Sequence, residues 1–192
     1  MNSSLQQTKI PITDAGVCKV KQALSGNDDQ RSCILTLEDA EKEDMITKGM
    51  NLESILCTIG SSRRQIQAIK FIGSDGHSRC LCFLSTLLPV HIDLDQRPLG
   101  IHLVNINQEQ LWMAADPKFA KHVQSIALNV PWQLKPGFWT LLMLQDFISQ
   151  AVHLEELTVT HSRPLMDDEE EMLHKLSERG VNVVIRSGKV SH

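Results

Sequence analysis

The stretch Leu154–Val159, with the sequence LEELTV, has apolar residues at its first, fourth and sixth positions. The same arrangement recurs along most of the chain, with weaker first residues in two of the copies. The other copies are Ile66–Phe71, Pro98–Leu103, Val123–Leu128 and Gly180–Ile185, and a fainter sixth is Ser32–Leu37. The fourth position falls at residues 69, 101, 126, 157 and 183, so the copies lie 25 to 32 residues apart. Such spacing predicts a repeating unit of one strand and one helix.

The intervals between these segments carry helical patterns with start and stop signals. We predict an amphipathic helix near 17–24, a helix over 51–59 capped by Asn51, and one over 79–88 that ends at Pro89. Further helices are predicted over 109–122 with a break at Pro117, from Phe138 after Gly137 to about Val152, and from Asp167, where Asp167 and Glu170 have capping-box spacing. The alternation at Ile92 and Leu94 allows a short extra strand.

Leu154–Val159 lies directly between two helical patterns, and Val123–Leu128 and Ile66–Phe71 fit the same arrangement. In these segments the chain resembles the helix-containing, ribonuclease-inhibitor-like leucine-rich repeat proteins, over about residues 50 to 187. It departs from that family where an asparagine or cysteine is expected after each strand, since Ser74, Ile106, Pro131 and Ser162 stand there. The resemblance implies a curved solenoid with parallel strands on the concave side, helices on the convex side, and protein ligands bound by concave residues.

We therefore expect an α/β fold in the form of a short leucine-rich-repeat-like solenoid, with parallel strands on one face and helices on the other. Alternating helices and strands alone fit an open doubly wound α/β sheet as well. For domains, we expect an N-terminal capping segment over 1–30, a single α/β repeat domain over 31–187, and a frayed tail over 188–192.

Side chains beside the buried anchor residues should point to the concave surface, because successive residues of a strand alternate between faces. The predicted partner-binding residues are Lys70, Ile72, His102, Val104, Asn129, Thr158, Thr160 and Arg186, with Ala127 and Val184 on the same surface. In a doubly wound sheet, helices would cover the apolar members of this set, and the binding surface would be lost.

Composition narrows the class of partner and the compartment. The 192 residues are 42% apolar, and 19 basic against 23 acidic residues give a net charge of −4, which provides no general attraction to nucleic acid. Residues 1–9 lack a secretory pattern, and the longest apolar stretch, Phe138–Leu144, is too short to span a membrane. Five cysteines without a regular framework indicate reduced thiols. We expect a cytoplasmic protein, with a nuclear location left open, that binds neither nucleic acid nor membranes.

Two groups of residues invite a chemical function. His77, Cys57, Cys80 and Cys82 could be considered for zinc, but Cys80 and Cys82 are two apart on a predicted helix and face different directions, so we expect no metal. The loop Gly73–Gly76 joins a strand to a helix, where a phosphate can bind backbone amides, although no complete phosphate-binding motif is present.

None of the eight histidines lies in a recognisable nucleophile context. The favoured hypothesis is therefore a non-enzymatic protein-interaction module, an adaptor or a subunit of an assembly, without a cofactor. The alternative is an α/β enzyme or nucleotide-binding domain with its site at the Gly73–Gly76 loop.

Overall fold

Strands and helices alternate along the whole described chain. The computed structural model describes residues 6–25, 33–39, 43–62, 66–74, 79–97, 99–130, 144–162 and 164–188. The strands are β1 (Gln6–Pro11), β2 (Cys33–Glu38), β3 (Ile66–Ile72), β4 (Gly100–Asn107), β5 (Val123–Val130), β6 (Glu156–His161) and β7 (Asn182–Ser187). The helices are α1 (Asp14–Leu24), α2 (Met45–Ser61), α3 (Cys80–His91), α4 (Gln108–Met113), α5 (Pro117–Ala120), α6 (Gln145–Gln150) and α7 (Asp167–Glu178).

All seven strands form one parallel sheet in the order β1-β2-β3-β4-β5-β6-β7, and every strand pairs with its neighbour in sequence. This arrangement confirms the predicted α/β class and its alternating units in a single parallel sheet. The sheet is open, with β1 and β7 at its edges, and the structure does not indicate a solenoid.

The described helices form one layer on one side of the sheet. Crossovers between parallel strands are almost always right-handed, so a strand order that advances in one direction places successive helices on the same face. Accordingly, α1 packs on α2, α2 on α3, α3 on α4 and α5, and α5 on α6. A doubly wound sheet needs a reversal of strand order, and the described sheet has none.

The core lies between this helix layer and alternate residues of the strands. One row crosses the sheet in register, from Ile10 through Leu37, Phe71, Leu103 and Ile126 to Leu157, and all six residues are buried. Full burial of such side chains contributes about 1.5 to 3 kcal/mol each. The apolar residues of the helices belong to the same cluster. The inward residues that identified the strands are therefore also the ones on which the helices pack.

Two elements near the N-terminus differ from the predictions. β1 was not predicted, because its sequence QQTKIP is polar apart from Ile10; an edge strand needs only a short apolar contact with the core. The helix predicted over 51–59 begins earlier, at Met45, where the Asp44 carboxylate accepts hydrogen bonds from the amides of Ile46 and Thr47. Asn51 lies inside this helix.

Three local signals were also misread. α3 continues through Pro89 to His91, and Ile92 and Leu94 are buried in a turn rather than a strand. At α7 the carboxylate of Glu169 accepts from the Met166 amide at 3.0 Å, so the cap lies one residue before the predicted Asp167. The break at Pro117 is confirmed. Residues 137–143 before and in the helix predicted up to about Val152 lie outside the described residues, and the described part of that helix, α6, ends at Gln150.

Residues 6–24 of the predicted capping segment supply the first strand and helix of the sheet, and 189–192 of the predicted tail lie outside the described residues. Within the described ranges, no helix has the combination of length and apolar character required to cross a bilayer.

Candidate functional site

The side of the sheet opposite the helix layer, here called the open face, carries the predicted partner-binding residues. Lys70 pairs in register with His102, and Ile72 with Val104. Thr158 lies between Ala127 and Val184, and Asn129, Thr160 and Arg186 form a further row. All eight predicted residues therefore share one surface that extends over five strands. None of them belongs to the apolar cluster under the helices.

The eight residues differ in how much surface they offer. Thr158 is only 6% exposed and its hydroxyl donates to the Glu156 carboxylate at 3.3 Å, so it contributes packing rather than contact area. Arg186 is exposed, and the remaining six are half-buried between their neighbours. The surface is mixed in character, since half-buried Ile72 and Val104 lie beside polar and charged groups.

His102 lies at the centre of the open face. Its Nδ1 is 2.9 Å from the Ser125 hydroxyl. Burial lowers the pKa of His102 below its ordinary value; Glu155 and Glu156 oppose this shift, and the positive charge of Lys70 adds to it. A lowered pKa keeps the imidazole neutral at pH 7, so the centre of the face has polar hydrogen-bonding capacity without a fixed charge there.

A buried polar cluster at the carboxyl ends of β2, β3 and β4 was missed by sequence reasoning. Lys48 Nζ lies 2.8 Å from Asp39 Oδ1, and the two side chains are 5% and 0% exposed. The Ser74 hydroxyl donates to Asp39 Oδ2 at 2.8 Å. Polar residues that directly follow parallel strands meet at one edge of a sheet, and this signal at Asp39 and Ser74 could have located the cluster.

Asn105 closes the same edge between β3 and β4. Its backbone is left-handed, with φ of 56°. Its side-chain amide Nδ2 donates to the Gly73 carbonyl at 2.9 Å. The side-chain oxygen of Asn105 in turn accepts from the amide of Asn129. A Cβ on Gly73 would lie 2.6 Å from the Asn105 carbonyl oxygen, which explains the glycine at this position. Asn129 is thus tied to the strand ends as well as to the open face.

The described half of the Gly73–Gly76 loop is bonded within the protein. The Gly73 amide donates to the Val104 carbonyl, and the Ser74 carbonyl accepts from the Gln110 side chain at 3.4 Å. The Gly73 amide is therefore already used inside the protein and is not available to a phosphate. Residues 75–78 lie outside the described residues.

The residues considered for zinc are not assembled by the described structure. Cys80 is buried in α3, Cys57 is exposed on α2, and His77 lies outside the described residues. No group of three or more potential ligands occurs in the described part of the chain. None of the five cysteines forms a disulfide bond.

A scan against models of protein families, a search of curated proteins and a search of solved structures find no match to this chain.

Proposed function

We propose that the chain is a non-enzymatic protein-interaction module, an adaptor or assembly subunit, that binds a protein partner through the open face. The observation that carries the proposal is a broad parallel sheet with its described helices on one side only. Helix-containing leucine-rich repeat proteins, which the sequence resembles, bind protein ligands through the strand side of the same kind of unit.

The size of the open face suits a protein partner. Six spacings of about 4.8 Å between seven strands, and about 20 Å along a strand, give a footprint of roughly 600 Å². A standard protein interface buries about 800 Å² on each partner. The open face provides most of that area, and a partner would complete it with contacts at the strand ends or the sheet edges.

The chemical character of the face also supports a protein partner. Apolar side chains such as Ile72 and Val104 stand next to Lys70 and His102, and the margin of the face carries Arg186 and Glu156. A surface that mixes apolar, polar and charged side chains matches non-obligate protein interfaces, which as a whole are about as apolar as the rest of a protein surface. Five cysteines without a disulfide are consistent with a reducing compartment, which supports the expected cytoplasmic location.

The test compares two matched double variants. Lys70→Glu with Val104→Arg alters the open face, whereas Lys118→Glu with Val90→Arg makes the same chemical changes at exposed positions of the helix layer. Quantitative affinity capture should lose the partners of the wild-type chain in the first variant and retain them in the second, with both variants folded by circular dichroism. Equal capture by the two variants would exclude the open face.

The alternative proposal is an α/β enzyme or nucleotide-binding domain with a site at Gly73–Gly76. A thermal-shift screen with nucleotides and phosphosugars tests it, because a ligand at a hundred times its dissociation constant adds about 2.7 kcal/mol of stability. A shift that Gly76→Val removes would support this alternative, and a screen without any shift would exclude the ligands tested.

A further inference from the structure

The two edges of the sheet differ in how they present their backbone. In a strand, alternate residues direct both the N–H and the C=O to the same neighbour. In β7, the amides of Asn182 and Gly188 donate to the Glu155 and His161 carbonyls, each at 2.8 Å. The intervening odd-numbered residues therefore direct their N–H and C=O groups away from β6. These are Val183, Ile185 and Ser187.

The β7 edge, defined by residues 182–187, continues the sheet without a described strand beyond it. Ile185 pairs in register with the buried Val159, which places its side chain on the helix side of the sheet. Even so, Ile185 is 49% exposed, because α7 precedes β7 and no described helix follows it. Backbone groups that pair with no strand in the described part of the chain thus lie beside an incompletely covered apolar side chain.

The opposite edge, β1, is protected. There the Ile12 amide donates to Glu38, so that Gln7, Lys9 and Pro11 face outwards. Pro11 has no N–H, its carbonyl accepts from the Thr13 amide, and Lys9 places a charge on the strand. Proline and lysine at an edge are the usual devices that prevent strand addition. The β7 edge has neither at its outward-facing positions.

We propose that the β7 edge binds an extended segment of a partner protein, which adds an eighth strand and carries an acidic side chain opposite Arg186. The unpaired backbone groups specify a strand as the occupant. Arg186 lies on the open face of β7, is exposed, and has no ion-pair partner among the described residues. A carboxylate on the added strand would pair with it.

A second copy of this chain fits the edge less well. If β7 paired antiparallel with its own copy about Ile185, each Arg186 would lie opposite a Val184, and the two arginines would be diagonal neighbours. Like charges at that distance oppose the pairing. In a segment that alternates apolar and acidic residues, the apolar side chains would pack on the exposed Ile185 and an acidic side chain would pair with Arg186.

The probe is the peptide Val-Glu-Ile-Glu-Val with short Gly-Ser flanks, whose symmetry places a glutamate opposite Arg186 in either strand direction. Titration into the isotope-labelled chain, followed by amide NMR, should move the amides of Val183, Ile185 and Ser187 and slow their hydrogen exchange. The amides of Asn182 and Gly188, already bonded to β6, should change much less. No change at millimolar peptide would overturn the proposal.

Charge exchange tests the specificity. An opposite-charge pair across two strands gives up to about fivefold in affinity, and converting it to a like-charge pair gives up to about 25-fold. The Arg186→Glu variant should therefore bind the glutamate peptide more weakly than the wild-type chain does. It should bind the matching Val-Lys-Ile-Lys-Val peptide more tightly than the wild-type chain does. Equal binding of both peptides by both proteins would contradict the assignment.

Removal of a single outward amide tests the backbone contribution. Ile185→Pro should abolish peptide binding, whereas Gln7→Pro, which removes an outward amide from β1, should leave it unchanged. Should Ile185→Pro fail to fold, the charge exchange still decides the question. Sedimentation showing a dimer that Ile185→Pro converts to a monomer would assign the edge to a second copy instead, and the proposal would be wrong.

Discussion

Replacing Asp39 by asparagine should destabilise the fold strongly, because it would leave Lys48 as an unpaired buried charge. Their charged atoms lie 2.8 Å apart, and both side chains are shielded from water. At an effective dielectric constant of about 20, two unit charges at this distance attract by about 6 kcal/mol. Removal of one member of a buried pair typically costs about 3 to 5 kcal/mol. With a urea m value of roughly 2 kcal/mol/M, the midpoint should fall by about 1.5 to 2.5 M.

The assay is urea unfolding of Asp39→Asn, Lys48→Met and the double variant. The double variant should lose clearly less than the sum of the two single losses, because it leaves no uncompensated charge. The surface pair Lys9–Glu38, 3.0 Å apart with side chains 66% and 34% exposed, is the control, and Lys9→Met should cost less than about 1 kcal/mol. Equal losses in the buried and exposed pairs would refute the reasoning.

Three further outcomes are expected. Gly73→Ala should cost about 1 to 3 kcal/mol of unfolding free energy, because its Cβ would meet the Asn105 carbonyl; an unchanged urea midpoint would show that the strands can separate there. Gly180→Ala should cost about 1 to 2 kcal/mol through its φ of 90° alone, since its Cβ meets nothing within 4 Å; a stabilised variant in thermal unfolding would contradict this. The lowered pKa of His102 means that protonation favours the unfolded chain, so the free energy of unfolding should fall as pH decreases through 6.5 and below. His102→Gln should reduce that fall, and the same pH profile in the variant and the wild-type chain would contradict the prediction.

The period of the apolar segments was enough to predict most strands, because inward residues such as Leu103, Ile126 and Leu157 fall on one buried row. Strand β1 could not be found in this way. It lies at an edge, and Ile10 is its only apolar residue besides Pro11, so its pattern is too short to read. The start of α2 was also misplaced, because Asp44 caps this helix and Asn51, the predicted cap, lies inside it.

The open face was predictable because alternation along a strand fixes side-chain direction once the buried residues are known. Lys70 and His102 could therefore be predicted as neighbours, because each lies one residue after the buried fourth position of its apolar segment. The positions of Asp39 and Ser74 directly after two strands could have located the buried cluster, but the pairing of Asp39 with Lys48 could not be predicted, since it depends on how α2 packs beside the end of β2. The left-handed Asn105 likewise interrupts the register of β4 in a manner that no spacing reveals.

Photo-crosslinking from the open face tests most directly whether that face binds a protein. Benzoylphenylalanine at position 104, on the open face, is compared in cells with the same group at position 90, on the exposed side of α3. We expect a discrete covalent adduct with a second protein from position 104 and none from position 90. Adducts from position 90 alone, or none from either position, would contradict binding at the strand face.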